Sequence, residues 1–149
     1  MADRLAVMHK GVIRRLGTPE EVYDHPGDCF TARFLGDVNF IPGELRADGG
    51  FECALGSFKP ASCTAQAGRA TGAIRPERIR FGKPGEDGID GTVTGRTFLG
   101  ESCEWEVAAG NRTLVIKEGA SPVRPIGSTC KLIFDPDFFM VMPVESADE

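Results

Sequence analysis

Glycine and proline are spread along this chain from end to end, and their spacing limits the fold more than any motif does. Nineteen Gly and ten Pro are distributed through 149 residues. Glycine opens turns by reaching positive φ, and proline fits neither a helix interior nor a centrally paired strand. The pattern therefore favours many short strands joined by turns over long helices. The length suits one domain, or one small domain with an appendage.

The first forty residues carry the strongest local signals. Residues 4–16, RLAVMHKGVIRRL, read as two strands around a His9-Lys10-Gly11 turn, with Gly11 free to take positive φ. The run is apolar on both faces, as in strands that lie inside a covered sheet, so residues 4–16 are expected to be buried by self-association, by strand exchange or by packing on the rest of the fold. Thr18 is placed as an N-cap, Pro19 at the first helical position and Glu21 to close a capping box. Asp24-His25-Pro26-Gly27 ends that helix. A second helix is predicted over Cys29–Leu35, with Phe30, Arg33 and Phe34 spaced for one apolar face and Gly36 as its stop.

Beyond Val38 the periodicity becomes that of strands. Phe51 to Leu55 and Cys103 to Val107 alternate, with Trp105 facing opposite to Glu104 and Glu106. Asp48-Gly49-Gly50, residues 83–88 and Asp135-Pro136-Asp137 mark turns or loops. The fold class is mainly β, a barrel or sandwich preceded by a β-hairpin and two short helices. Residues 145–149 are expected to form a disordered tail.

Composition excludes several functions. The formal net charge is −5 with no basic run, which argues against a nucleic-acid binder, since that role needs clustered Lys and Arg. Five Cys form no C-x-x-C pair and only two His are available, so no metal site is expected. The odd cysteine count, and no secretory leader, point to buried thiols in a reducing compartment. No apolar run approaches the roughly 20 residues of a membrane span. His9 and His25 lie at a turn and a helix end without a nucleophile partner, and no catalytic residue is assigned.

ADRLAVMHKGVIRRLGTPEEVYDHP, followed by FTARFLGDVNFIPGEL, resembles the junction in ATP-binding subunits of ABC importers of the polyamine, ferric-iron and sugar type, where the nucleotide-binding domain passes into a C-terminal barrel. AIRPERIRF resembles the R-P-E signature of that barrel, GTVTGRTFLGESCEWEV a later strand segment and GSTCKLIFDPDFFMVM its closing strands. The barrel is the TOBE domain, an OB-like fold. The resemblance implies that residues 1–36 are the end of an ATPase domain and 37–144 the TOBE barrel, with the chain a severed C-terminal part. It implies a regulatory and dimerisation module, homodimeric, partnered through its parent with membrane permease subunits. The expected location is cytoplasmic, against the inner face of the cell membrane.

No G-x-x-x-x-G-K-[ST] loop is found; the pair Gly82-Lys83 is followed by Pro84. The expectation is therefore no enzyme activity and no cofactor here, with ATP and Mg²⁺ belonging to the parent. The alternative is a stand-alone barrel that binds an oxyanion or a polyamine. The candidate regulatory or interface residues are Arg75, Glu77, Arg78, Phe98 and Gly100. Arg75 and Glu77 at i, i+2 point the same way on a strand whose Pro76 marks an edge, serving either as edge protection with a salt bridge or as a contact between subunits. Phe98 and Leu99 read as core residues, with Gly100 allowing a bend.

Overall fold

In a computed structural model the described residues are 3–145. The hairpin pairs β1 (Leu5–His9) with β2 (Val12–Gly17) in antiparallel register. Its turn places Lys10 at φ 50° and Gly11 at φ 78°, two successive positive values that match the right-handed twist of the strands. Helix α1 (Pro19–Asp24) opens with the expected reciprocal cap: Glu21 N–H donates to Thr18 Oγ1 at 3.2 Å, and Thr18 N–H donates to Glu21 Oε2 at 3.0 Å. Thr18→Ala is expected to cost about 1 kcal/mol in a denaturant melt. Helix α2 (Cys29–Leu35) is capped by Asp28, which accepts from Thr31 N–H at 2.8 Å and also pairs with Arg14 at 2.9 Å.

Two sheets follow. One contains β3 (Asn39–Leu45), β4 (Phe51–Cys53), β5 (Gly56–Phe58), β6 (Ser62–Cys63), β7 (Gly68–Ile74) and β13 (Met140–Met142), in the order β5-β4-β3-β7-β13-β6. The other contains β8 (Ile79–Phe81), β9 (Ile89–Phe98), β10 (Ser102–Ala109), β11 (Arg112–Gly119) and β12 (Thr129–Phe134), in the order β11-β10-β9-β12-β8. All pairings are antiparallel except that of β13 with β6. The sheets close around one core in which Ile41 and Ile74 of the first meet Val93, Trp105, Ile116 and Leu132 of the second. Strand β10 shows why: its burial alternates along Cys103, Trp105, Val107 and Ala109, the period of a half-buried strand.

The barrel is sealed between β3 and β11 by side chains. Asn39 Nδ2 donates to Val115 O at 2.9 Å while its Oδ1 accepts from Val115 N–H at 2.8 Å, so one amide mimics a strand residue. Arg112 Nη2 adds a bond to Phe40 O at 3.1 Å. Elsewhere the wall is tight: a Cβ on Gly72 would lie 2.8 Å from Phe139 Cζ and 2.9 Å from Phe51 Cε2. Both rings are fully buried and pack edge to face, so Gly72→Ala is expected to cost about 1–3 kcal/mol by overpacking, read from urea unfolding.

The structure corrects the sequence reading in three places. The buried face of α2 is Cys29, Thr31 and Ala32, while Phe34 is exposed. Small side chains let the helix approach Ala73, Met140 and Met142 closely, and Phe30 turns instead toward His9, with ring centroids 4.0 Å apart. The hairpin is covered on one face only. Val7 is buried, but Met8, Ile13 and Leu16 are exposed, Met8 at 57%. Within this chain, then, packing on the rest of the fold does not cover that face. Finally, Glu145, assigned to the tail, forks onto Arg33 at 2.6 and 2.8 Å; the rest of the expected tail lies outside the described residues.

Candidate regulatory interface

Strand β7 ends at Ile74, and the chain must then turn toward β8. Pro76 occupies the first position of a 3-10 turn over Pro76–Arg78, where its missing N–H costs nothing. This turn replaces the continuous strand expected from the sequence, so Arg75 and Glu77 do not share a strand face. Arg75 is 3% exposed, the one buried charged residue among those described. Its side chain is turned into the fold and does not lie along a strand edge.

The guanidinium of Arg75 reaches back to the helices. Nη1 donates to Ala32 O, Gly36 O and Asp37 O at 3.1, 3.3 and 3.1 Å, and Nη2 donates to Tyr23 O at 3.1 Å. These carbonyls belong to the C-terminal ends of α1 and α2, where backbone acceptors lack intrahelical partners and the helix dipole is negative. The Arg75 guanidinium carbon also stacks over the Tyr23 ring, 3.8 Å from its centroid. Burial pushes the arginine's pKa down, yet its very high starting value keeps it charged at neutral pH.

Glu77 faces the same aromatic from outside, accepting a hydrogen bond from the Tyr23 hydroxyl. Burial first, and this bond second, push the Tyr23 pKa up from 10.0 to about 12. The fold therefore favours the neutral phenol. Its contribution is complete below pH 10.0 and is lost as pH climbs through about 12. Thermal unfolding followed across this window should show a loss in the wild type that shrinks in Tyr23→Phe.

Arg78 lies at the far end of the turn, with its guanidinium 3.5 Å from the Phe138 ring centroid. Phe98 and Gly100 form a separate place, the tip of the β9–β10 hairpin. Gly100 takes φ +90°, which supplies the expected bend. Phe98 and Leu99, expected in the core, are exposed there, Phe98 at 61%. The reason is the length of β9: it pairs with β12 only over residues 89–92, and its far end is laddered to β10 alone. Arg96 sits 5.6 Å from the ring centroids of both Phe98 and Trp105. The five candidates thus fall into a buried tie with its outer partner, an arginine stacked nearby and an exposed aromatic tip. Sequence alone gives Tyr23 no role in this site. Its only signal is its place at the end of α1, which says nothing of a partner 52 residues away.

Among the described residues no cluster of three or more His, Cys, Asp or Glu is placed to hold a metal ion, and no helix is long and apolar enough to cross a membrane. Residues 72–142, from β7 to β13, match the family model described as TOBE domain. The chain carries a TOBE domain. Its relatives include the spermidine/putrescine import ATP-binding protein PotA of Ruegeria pomeroyi, 36% identical over 128 residues, covering 82% of this chain and 35% of the relative. The protein of the same name from Pseudomonas fluorescens is 31% identical, covering 91% of this chain and 40% of the relative. The Fe(3+) ions import ATP-binding protein FbpC of Rhizobium etli is 35% identical, covering 80% and 35%. The resemblance to importer ATP-binding subunits with a TOBE domain is thereby borne out. The chain spans about a third of the length of these curated relatives. All five candidate residues lie within the matched range, and Tyr23 meets Arg75 and Glu77 from outside it.

Proposed function

We propose that this chain serves as the non-catalytic C-terminal part of an ATP-binding subunit of an ABC importer. The observation that carries the reading is the TOBE domain at residues 72–142 in a chain similar to polyamine and ferric-iron import subunits over most of its length. Residues 1–36 are the end of the ATPase domain, 37–144 the barrel. The barrel contributes contacts between two copies of the subunit and biases them between open and closed arrangements, which requires contacts that differ between the two states. Nucleotide and Mg²⁺ are held by the parent's catalytic domain, and the permease subunits place the assembly at the cytoplasmic face of the membrane. Phe98 and the Gly100 bend supply a contact surface. An oxyanion-binding barrel is less well supported, because the cations around the loop at residues 82–90 face carboxylates: Arg80 meets Glu86, Arg124 meets Glu118 and Lys131 meets Asp90.

Three measurements test this. Equilibrium dialysis with Mg-ATP should show no binding to the chain; saturable binding with turnover would overturn the non-catalytic reading, and a single-site calorimetric heat with molybdate, sulfate or spermidine would favour the ligand barrel. Light scattering after size exclusion should show dimers that weaken about tenfold on Phe98→Ser or on removal of the first 16 residues, of the order lost with one hot spot. Monomers throughout would remove the assembly role.

A further inference from the structure

The segment before the barrel is too slight to hold itself together. Helix α1 has six residues and α2 seven, well short of the length at which a helix persists alone. A lone two-stranded hairpin is likewise marginal. Yet the segment is ordered against the barrel, and the bonds that cross between them are few. Thr64 donates to Gly27 O at 2.7 Å, Arg33 pairs with Glu145 at 2.6 Å and the Tyr23 hydroxyl meets Glu77, all at exposed positions. Cys29 Sγ adds a weak, part-buried bond to Pro143 O at 3.7 Å. Among the described residues Arg75 makes the most extensive crossing, taking four carbonyls from both helix ends.

We infer that Arg75 is a bolt that makes residues 18–37 and the barrel one cooperative unit, and that withdrawing it releases the helical segment while the barrel stays folded. The chemistry is asymmetric. Without the guanidinium, the carbonyls of Tyr23, Ala32, Gly36 and Asp37 all lose the donor they share, and a buried acceptor that loses a partner favours local opening toward water. The barrel gives up only the small apolar contact of Ala73, Met140 and Met142 with Cys29 and Ala32. Its main cluster around Trp105 contains no residue of the helices, and an arginine at the end of β7 becomes hydrated when the segment leaves. The inference concerns the chain's own folding and does not depend on the importer reading.

Hydrogen exchange by mass spectrometry on the full chain tests it. In the wild type, a denaturant series should show α1 and α2 amides merging with those of β3 and β7 into a single opening. If α1 and α2 instead open separately at much lower cost, the inference fails, and this outcome needs no variant. Arg75→Met keeps the aliphatic stem but removes every donor. Exchange of α1 and α2 amides should then rise by about 100-fold while β9–β12 stay within about threefold. Equal acceleration everywhere, or no change in the helices, would overturn the assignment. The importer reading is tested separately by nucleotide dialysis and light scattering.

Discussion

Trp105→Ala should remove about 3–5 kcal/mol of stability, enough to consume much of what an ordinary domain possesses. Trp105 is completely buried and is the largest such side chain described. It stands in β10 between Arg96 of β9 and Ile116 of β11 in the register, with Phe81 edge-on at 6.3 Å. No single neighbour can collapse into the space of an indole, since the cluster is drawn from both sheets and each strand is pinned by its ladder. Urea denaturation with an unchanged slope should report the loss as a shift in midpoint. Trp105→Phe should lose roughly half as much, because a ring still fills part of the volume. A loss below about 1 kcal/mol for the alanine variant would mean that the barrel is not organised around this residue.

Asn39→Ala should cost about 2–4 kcal/mol, although it deletes few atoms. The amide supplies both a donor and an acceptor to Val115 across the seam between β3 and β11. Alanine leaves the Val115 N–H and C=O facing a gap too narrow to be served as a sheet edge in water would be. Asn39→Asp separates the two halves of the interaction: a carboxylate still accepts from the N–H but repels the carbonyl. It should therefore fall below the wild type, with Val115 amide exchange less affected than in the alanine variant. If both variants match the wild type in a denaturant melt, the seam is held by something other than this amide.

The readings that succeeded from sequence are those decided by neighbours along the chain. Lys10-Gly11 must turn, and Thr18 with Glu21 must cap, whatever lies nearby in space. The alternation around Trp105 is equally local. The failures share a different cause. The face of α2 depends on which surface the helix meets, and there small Cys29 and Ala32 outcompete larger Phe34. Pro76 reads locally as the mark of a strand edge, whereas it opens a 3-10 turn that sends Arg75 inward. Nothing local could reveal this, since the carbonyls that hold the arginine lie 38 to 52 residues earlier. Asn39 is hidden in the same way, its partner standing 76 residues on. The two-residue strand β6 exists only because β13 passes beside it.

Buried arginines are usually neutralised by an acid, which leaves them hostage to the medium. Here the counter-charge is spread over peptide oxygens at two helix ends and the face of a phenol ring. Peptide oxygens do not titrate in the physiological range, and mobile ions do not reach a sealed site. The Arg75 bonds of this joint should thus be far less sensitive to brine than exposed pairs such as Arg33 with Glu145 or Arg80 with Glu86, which are screened away. A cell whose osmolarity swings would find this arginine's grip unmoved.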